Sequence, residues 1–188
     1  MSCCAGLVST DRRIVLGAVI AGGQSTRFGS DKALAQVHGR SLIDQVAETL
    51  SGQCAETVVV GREHPGLRGI ADQPAPGLGP MGGIAAALLE AQARGYSAVL
   101  TVPCDAFDLP GDLLAQLHPF PSYVENLPVV GLWPAYAAAE AIALLESDET
   151  HSITAFARRI SARAVKLARD PANINTAADL ERVERHGI

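Results

Sequence analysis

Between Ala18 and Lys32 the chain reads Ala-Val-Ile-Ala-Gly-Gly-Gln-Ser-Thr-Arg-Phe-Gly-Ser-Asp-Lys, an apolar run that ends in two glycines and then presents two spaced cations. A strand that ends in Gly22-Gly23 lets main-chain N–H groups come close to a ligand, and Arg27 and Lys32 supply the charge that an oligophosphate requires. The chemistry open to this set is the grip of a nucleoside triphosphate. An ordinary glycine turn with two solvated cations is the alternative. Against it stand the preceding strand, the length of the span, and the crowding of Arg27, Gly29, Asp31 and Lys32 into residues 27–32. The spacing does not fit the P-loop pattern GxxxxGK[ST], because Lys32 follows Asp31 and precedes Ala33.

Gly77-Leu78-Gly79-Pro80-Met81-Gly82 does match the dinucleotide pattern GxGxxG. It follows a Pro-rich segment instead of a buried strand, however, and Pro80 removes a donor from the loop. A close-approach loop feeding a helix that starts near Met81 is the more economical reading, with Gly82 and Gly83 leaving room for a base or ribose. Asp105, in Val102-Pro103-Cys104-Asp105, follows a strand whose carboxyl end would hold it over the same crevice as Gly22. There it can bind magnesium, which is commonly held by one or two acids plus substrate phosphates, or it can start a turn. Asp108 better fits a capping role. Asp72 ends another strand; it can touch a ribose, base or metal, or start the turn before Pro74. Asn173 and Asn175 flank one apolar residue, so on an extended segment both amides point the same way. Cys104 has no His near it in sequence and reads as a small core thiol, while His64 and His118, each beside a proline, read as solvated loop residues.

The elements that must position these groups alternate. Ile14 to Ile20 predicts a strand, and Leu42, Ile43, Val46 and Leu50 predict a helix behind a Ser41 cap. Thr57 to Val60 and Leu67 to Ala71 predict two further strands. Ile84, Ala87, Leu88 and Ala91 line one face of a helix that ends at Gly95, and Ala98 to Val102 is another buried strand. The second half predicts a short helix over 112–117 stopped by Pro119, a Pro-rich loop from Phe120, and a strand at Val129 to Leu132. Helices at 136–146 and 152–159 follow, then a strand at 164–167 and a last helix behind a capping box at Thr176 and Asp179. Such a succession favours a three-layer αβα sandwich around a mainly parallel sheet, with ligands beyond the carboxyl ends of its strands.

At 188 residues the chain fits one domain, residues 14–188, able to bury roughly 70% of the surface its unfolded form exposes, behind a loose leader over residues 1–13. Apolar residues make up 48% and charged ones 19%, and no apolar run approaches a membrane span. A formal charge of −5 disfavours nucleic acid as a partner. Cys3, Cys4, Cys54 and Cys104 form no CxxC pair, and the leader lacks the basic start and apolar centre of a secretory signal, so reduced thiols in the cytoplasm are expected.

Taken together, the set resembles the molybdenum cofactor guanylyltransferase family, within the nucleotidyltransferases that share a glycine-rich opening. The matching pieces are Ile20-Ala21-Gly22-Gly23 with Arg27, Gly29, Asp31 and Lys32; Asp72; Gly79-Pro80-Met81-Gly82-Gly83; Pro103-Cys104-Asp105; and Asn173-Ile174-Asn175-Thr176. The likeness covers nearly all of residues 14–185. Ala-Gly-Gly with Pro-Cys-Asp is closer to the guanylyl members than to the cytidylyl ones, which tend to show Ala-Ala-Gly.

The resemblance implies a Rossmann-like sheet of the nucleotide-diphospho-sugar-transferase type. It implies attack of the molybdopterin phosphate on the α-phosphorus of GTP, with Mg2+ present. Ile20, Ala21, Gly22 and Gly23 would hold guanine and ribose, Arg27 and Lys32 the phosphates, Asp72 and Gly83 the nucleoside, and Asp105 the metal, while Asn173 and Asn175 would face the pterin. Arg27, Lys32 and Asp105 are the catalytic candidates. GTP and molybdopterin are the expected partners, with a molybdoenzyme or chaperone as recipient, and the chain is expected to be a monomer or weak homo-oligomer that binds neither nucleic acid nor membrane. Gly61 stands where family members often carry Asn, and Phe28 where Met is usual. A related enzyme using CTP, or a sugar or alditol phosphate acceptor, and a noncatalytic nucleotide-binding adaptor are the competing readings.

Overall fold

Val15-Leu16-Gly17-Ala18-Val19-Ile20 is apolar at every position, the pattern of a strand covered on both faces, and all six residues are buried. This strand, β1, is an interior strand of the main sheet. The computed structural model describes residues 14–22, 36–37, 39–169, 171–173 and 179. Gly23, Arg27, Lys32, Asn175 and Thr176 lie outside them, as does the leader expected over residues 1–13.

After β1 come a small hairpin, β2 (Gln36–Val37) and β3 (Arg40–Ser41), and helix α1 (Leu42–Ser51). Next are β4 (Glu56–Val60), β5 (Arg68–Ile70), α2 (Gly79–Arg94), β6 (Ala98–Pro103), β7 (Ala106–Phe107) and α3 (Leu113–Leu117). The rest comprises β8 (Ser122–Val124), β9 (Leu127–Pro134), α4 (Ala138–Leu145), α5 (Ile153–Arg159), β10 (Arg163–Val165) and β11 (Ala172–Asn173). Among the described residues the main sheet has seven strands in the order β10-β8-β9-β6-β1-β4-β5, and only β9 runs antiparallel to its neighbours.

Successive residues of β1 face opposite layers. Leu16, Ala18 and Ile20 pack with α2, α4 and α5, whereas Val15 and Val19 pack with α1 and α3. The result is the expected αβα sandwich. α1 opens on Ser41, whose hydroxyl accepts from the Asp44 N–H at 3.2 Å, and it buries Leu42, Ile43, Val46, Ala47 and Leu50. α2 begins at Gly79, earlier than the Met81 start, because Pro80 in the first turn gives up only an N–H that would have no helical partner. It ends on Gly95 in the left-handed conformation.

Several expectations change. The Pro-rich loop from Phe120 contains β8, which lies between β9 and β10 in the sheet; three residues are too few to show a period. The helix expected from residue 136 starts as a 3-10 turn over Ala135–Ala137. Asp108 caps no helix: its backbone is left-handed, at φ 60°, and its carboxylate pairs with Arg169 at 2.7 Å. His64 is not solvated, since its side chain is only 9% exposed. Among the described residues no helix is long and apolar enough to cross a membrane.

Candidate active site

Parallel register brings four strand ends level. Ile20 pairs with Val60 on one side and Pro103 on the other, and Val60 pairs with Ile70. Past these ends the chains stay stitched together: Ala21 N–H donates to the Val60 carbonyl at 2.9 Å, Gly61 N–H to that of Ile70 at 2.8 Å, and Cys104 N–H to that of Ile20 at 3.0 Å. Ile20, Ala21, Gly22, Asp72 and Asp105 are therefore collected along one carboxyl edge.

At the centre of that edge two glycine backbones touch. A Cβ on Gly61 would stand 2.3 Å from the Cα of Gly22 and 2.7 Å from its nitrogen, and Gly61 has φ +86°. No side chain fits there. The Asn that the family resemblance would place here is thus excluded by this backbone, and the sequence reading did not single out Gly61 as a site residue. Its signal was available: a glycine directly after a β-branched strand, in register with Gly22.

Asp72 lies over the same contact, because a Cβ on Gly22 would meet Asp72 Oδ2 at 2.9 Å and Oδ1 at 3.1 Å. Burial pushes its carboxyl above the ordinary carboxylate range, and a hydrogen bond from the Gly77 amide pulls in the opposite direction. Gln73 N–H donates to the Gly82 carbonyl at 3.2 Å, which fastens the 72–78 loop to the start of α2. The room expected beside the α2 glycines is used within the fold. A Cβ on Gly83 would come 3.1 Å from Ile20 Cγ2 and 3.5 Å from Val60 Cγ1, and one on Gly82 would come 3.0 Å from Leu78 Cβ. Gly83 lets α2 approach the sheet, and Gly82 lets the 72–78 loop close on α2.

Asp105 sits on the other flank, in the turn between β6 and β7, and is partly exposed. Asp72 reaches back from beyond β5 over the Gly22–Gly61 contact, whereas Asp105 follows β6, the neighbour of β1 on its other side. The backbone of Asn173 pairs with Ala106, which brings β11 beside Asp105. Cys104 is partly buried next to it, and burial pushes the Cys54 thiol up to about 12, far from a thiolate nucleophile at neutral pH.

A glycine crevice at the carboxyl edge of a parallel sheet, flanked by one acid on either side, is the frame of a nucleotide-binding transferase. Residues 17–171 match the family described as the MobA-like NTP transferase domain. The chain belongs to this family and is a nucleotidyltransferase. Among its relatives, the molybdenum cofactor guanylyltransferase of Acidiphilium cryptum is 35% identical, over 88% of this chain and 92% of its own. That of Sinorhizobium fredii is 36% identical over 88% of each. The fold is shared with the molybdopterin-guanine dinucleotide biosynthesis protein A of Archaeoglobus fulgidus, at TM-score 0.64, 22% identity and coverage of 90% of this chain and 97% of the other. It is shared equally with a 4-diphosphocytidyl-2C-methyl-D-erythritol synthase from Anaerococcus prevotii, at TM-score 0.65, 11% identity and coverage of 94% and 99%.

Proposed function

We propose that the protein transfers GMP from GTP to the terminal phosphate of molybdopterin, releasing pyrophosphate and forming molybdopterin guanine dinucleotide. A phosphate oxygen of the acceptor bonds to the α-phosphorus as the bond from that phosphorus to the β-phosphate bridging oxygen breaks. The nucleophile is already ionised, so the protein's task is alignment and charge neutralisation. The observation that carries this reading is the Gly22–Gly61 contact beneath the half-buried Asp72 carboxylate: exposed main chain beside a desolvated acceptor suits the N–H edge of a purine such as guanine.

In this reading Ile20 to Gly23 receive guanine and ribose, Asp72 bounds the nucleoside, with Gly83 contributing only by seating the start of α2 against Ile20, and Arg27 and Lys32 hold the phosphates. Asp105 would hold magnesium. A single hard carboxylate suits a cation that keeps its waters and substrate phosphates, and among the described residues no group of three His, Cys, Asp or Glu side chains forms a protein cage for a metal. When bound, that ion supplies neutralisation of the triphosphate. Asn173 and Asn175 are assigned to the acceptor, with the β11 backbone held beside Asp105 by its pairing with β7. The free thiols of Cys54 and Cys104 fit a cytoplasmic reaction.

The test is a panel of the four nucleoside triphosphates, each incubated with molybdopterin and magnesium, with products read by mass and pyrophosphate release. The guanine dinucleotide is expected to dominate. A cytosine dinucleotide as the main product would reassign the base, and the absence of pyrophosphate release from all four triphosphates would return the chain to an adaptor role.

A further inference from the structure

Three residues beyond Gly61, in the loop between β4 and β5, lies His64. Its side chain is 9% exposed, its Nε2 is 3.3 Å from Asp44 Oδ1, and its Nδ1 is buried without a hydrogen-bond partner. Asp44 belongs to the first turn of α1. The Ser41 hydroxyl bonds to its other carboxylate oxygen, and the Asp44 N–H returns a bond to Ser41 Oγ. A continuous polar chain, Ser41–Asp44–His64, therefore runs from the start of α1 to the β4–β5 loop.

One end of this chain reaches the crevice: the β4–β5 loop carries Gly61, whose backbone presses on Gly22. Within the loop Gly61 N–H is bonded to the Ile70 carbonyl at one end, and Leu67 N–H closes on the His64 carbonyl at 3.3 Å. A buried ring nitrogen left unpaired is costly, and a small apolar residue would avoid that cost, so the approach of the other nitrogen to Asp44 is the polar interaction this ring supplies.

We propose that His64 is a positioning residue. By donating Nε2–H to Asp44 it clamps the β4–β5 loop to the N-terminus of α1, and so keeps Gly61 against Gly22 at the spacing that nucleotide binding requires. The inference rests on the GTP-dependent transfer proposed above.

The experiment compares His64→Leu, His64→Asn and His64→Gln, together with Asp44→Ala and the Asp44→Ala/His64→Leu double variant. The Gln amide reaches the Nε2 position and keeps the donor, while Asn falls short of Asp44 and Leu offers none. For Leu, Asn and Asp44→Ala, KM for GTP is expected to rise about tenfold with kcat within about twofold, a loss of binding shared by ground and transition states. Gln should stay within about threefold of the unsubstituted protein, and the double variant should be no worse than either single change. Folded Leu or Asn variants with unchanged KM, additive effects in the double variant, or a Gln variant as impaired as Asn would overturn the clamp.

Amide hydrogen exchange over residues 61–67 separates this from the functional reading. Exchange should quicken in Asn and Leu but not in Gln, whether or not GTP is the substrate. If the unsubstituted protein fails to turn over GTP, the transfer reaction is rejected and exchange alone judges the clamp. Equal exchange in all variants overturns it.

Discussion

Asp72 keeps its carboxylate half out of water, above the contact of two glycines, and the consequence is a proton held more tightly in the folded chain than in the unfolded one. Stability from that proton is fully present below the unfolded value, near pH 3.9, and is lost as pH rises through the higher folded value. The ionised carboxylate thus costs stability at neutral pH. Asp72→Asn should raise the thermal midpoint relative to the unsubstituted protein at pH 8, and the difference should close as pH falls to about 3.5. Melting curves at the two pH values check it; a gap that widens towards acid would contradict it. The same substitution should weaken GTP binding, the usual exchange between stability and a functional acid. At this scale the residue types were legible but their surroundings were not. His64 looked solvated beside Pro65, because the Asp44 that covers its Nε2 comes from a helix some twenty positions earlier in the chain.

Among the elements, one buried hydroxyl joins β6 to the antiparallel β9 beside their backbone ladder. Thr101 Oγ1 donates to the Val129 carbonyl at 2.6 Å and accepts the Trp133 indole N–H at 2.8 Å, all beneath a fully buried Trp133. Thr101→Val keeps the shape and strands a buried N–H and a carbonyl. Its expected cost is about 1–3 kcal/mol. Urea unfolding should show a lower midpoint with an unchanged slope, and a midpoint within error of the unsubstituted protein would refute the role. Long apolar elements such as β1, α1, α2 and β6 announce themselves through period and caps. β7, β8 and β11 do not, because a strand of two or three residues exists by virtue of its partner: Asn173 is extended where Ala106 pairs with it.

For the molecule as a whole, the crevice joins the ends of four strands, so a ligand there bridges segments that unfolding would separate. GTP with magnesium at about a hundred times its dissociation constant should stabilise the fold by about 2.7 kcal/mol. For a chain of this size that is a rise of about 5–10 °C in the thermal midpoint. CTP at the same concentration should shift it far less, and equal shifts for the two nucleotides would remove the purine preference.

The sequence by itself determined the alternation of strands and helices, the glycine opening at Gly22, and the acids at Asp72 and Asp105, because period, turn chemistry and strand-end position are local properties of the chain. Only the tertiary structure decided that Gly61 must lack a side chain, that Gly83 serves the packing of α2 on Ile20, and that His64 is buried against Asp44. Each of those depends on what a distant segment places within a few ångströms, and strand register, which sets those neighbours, is fixed by the assembled sheet.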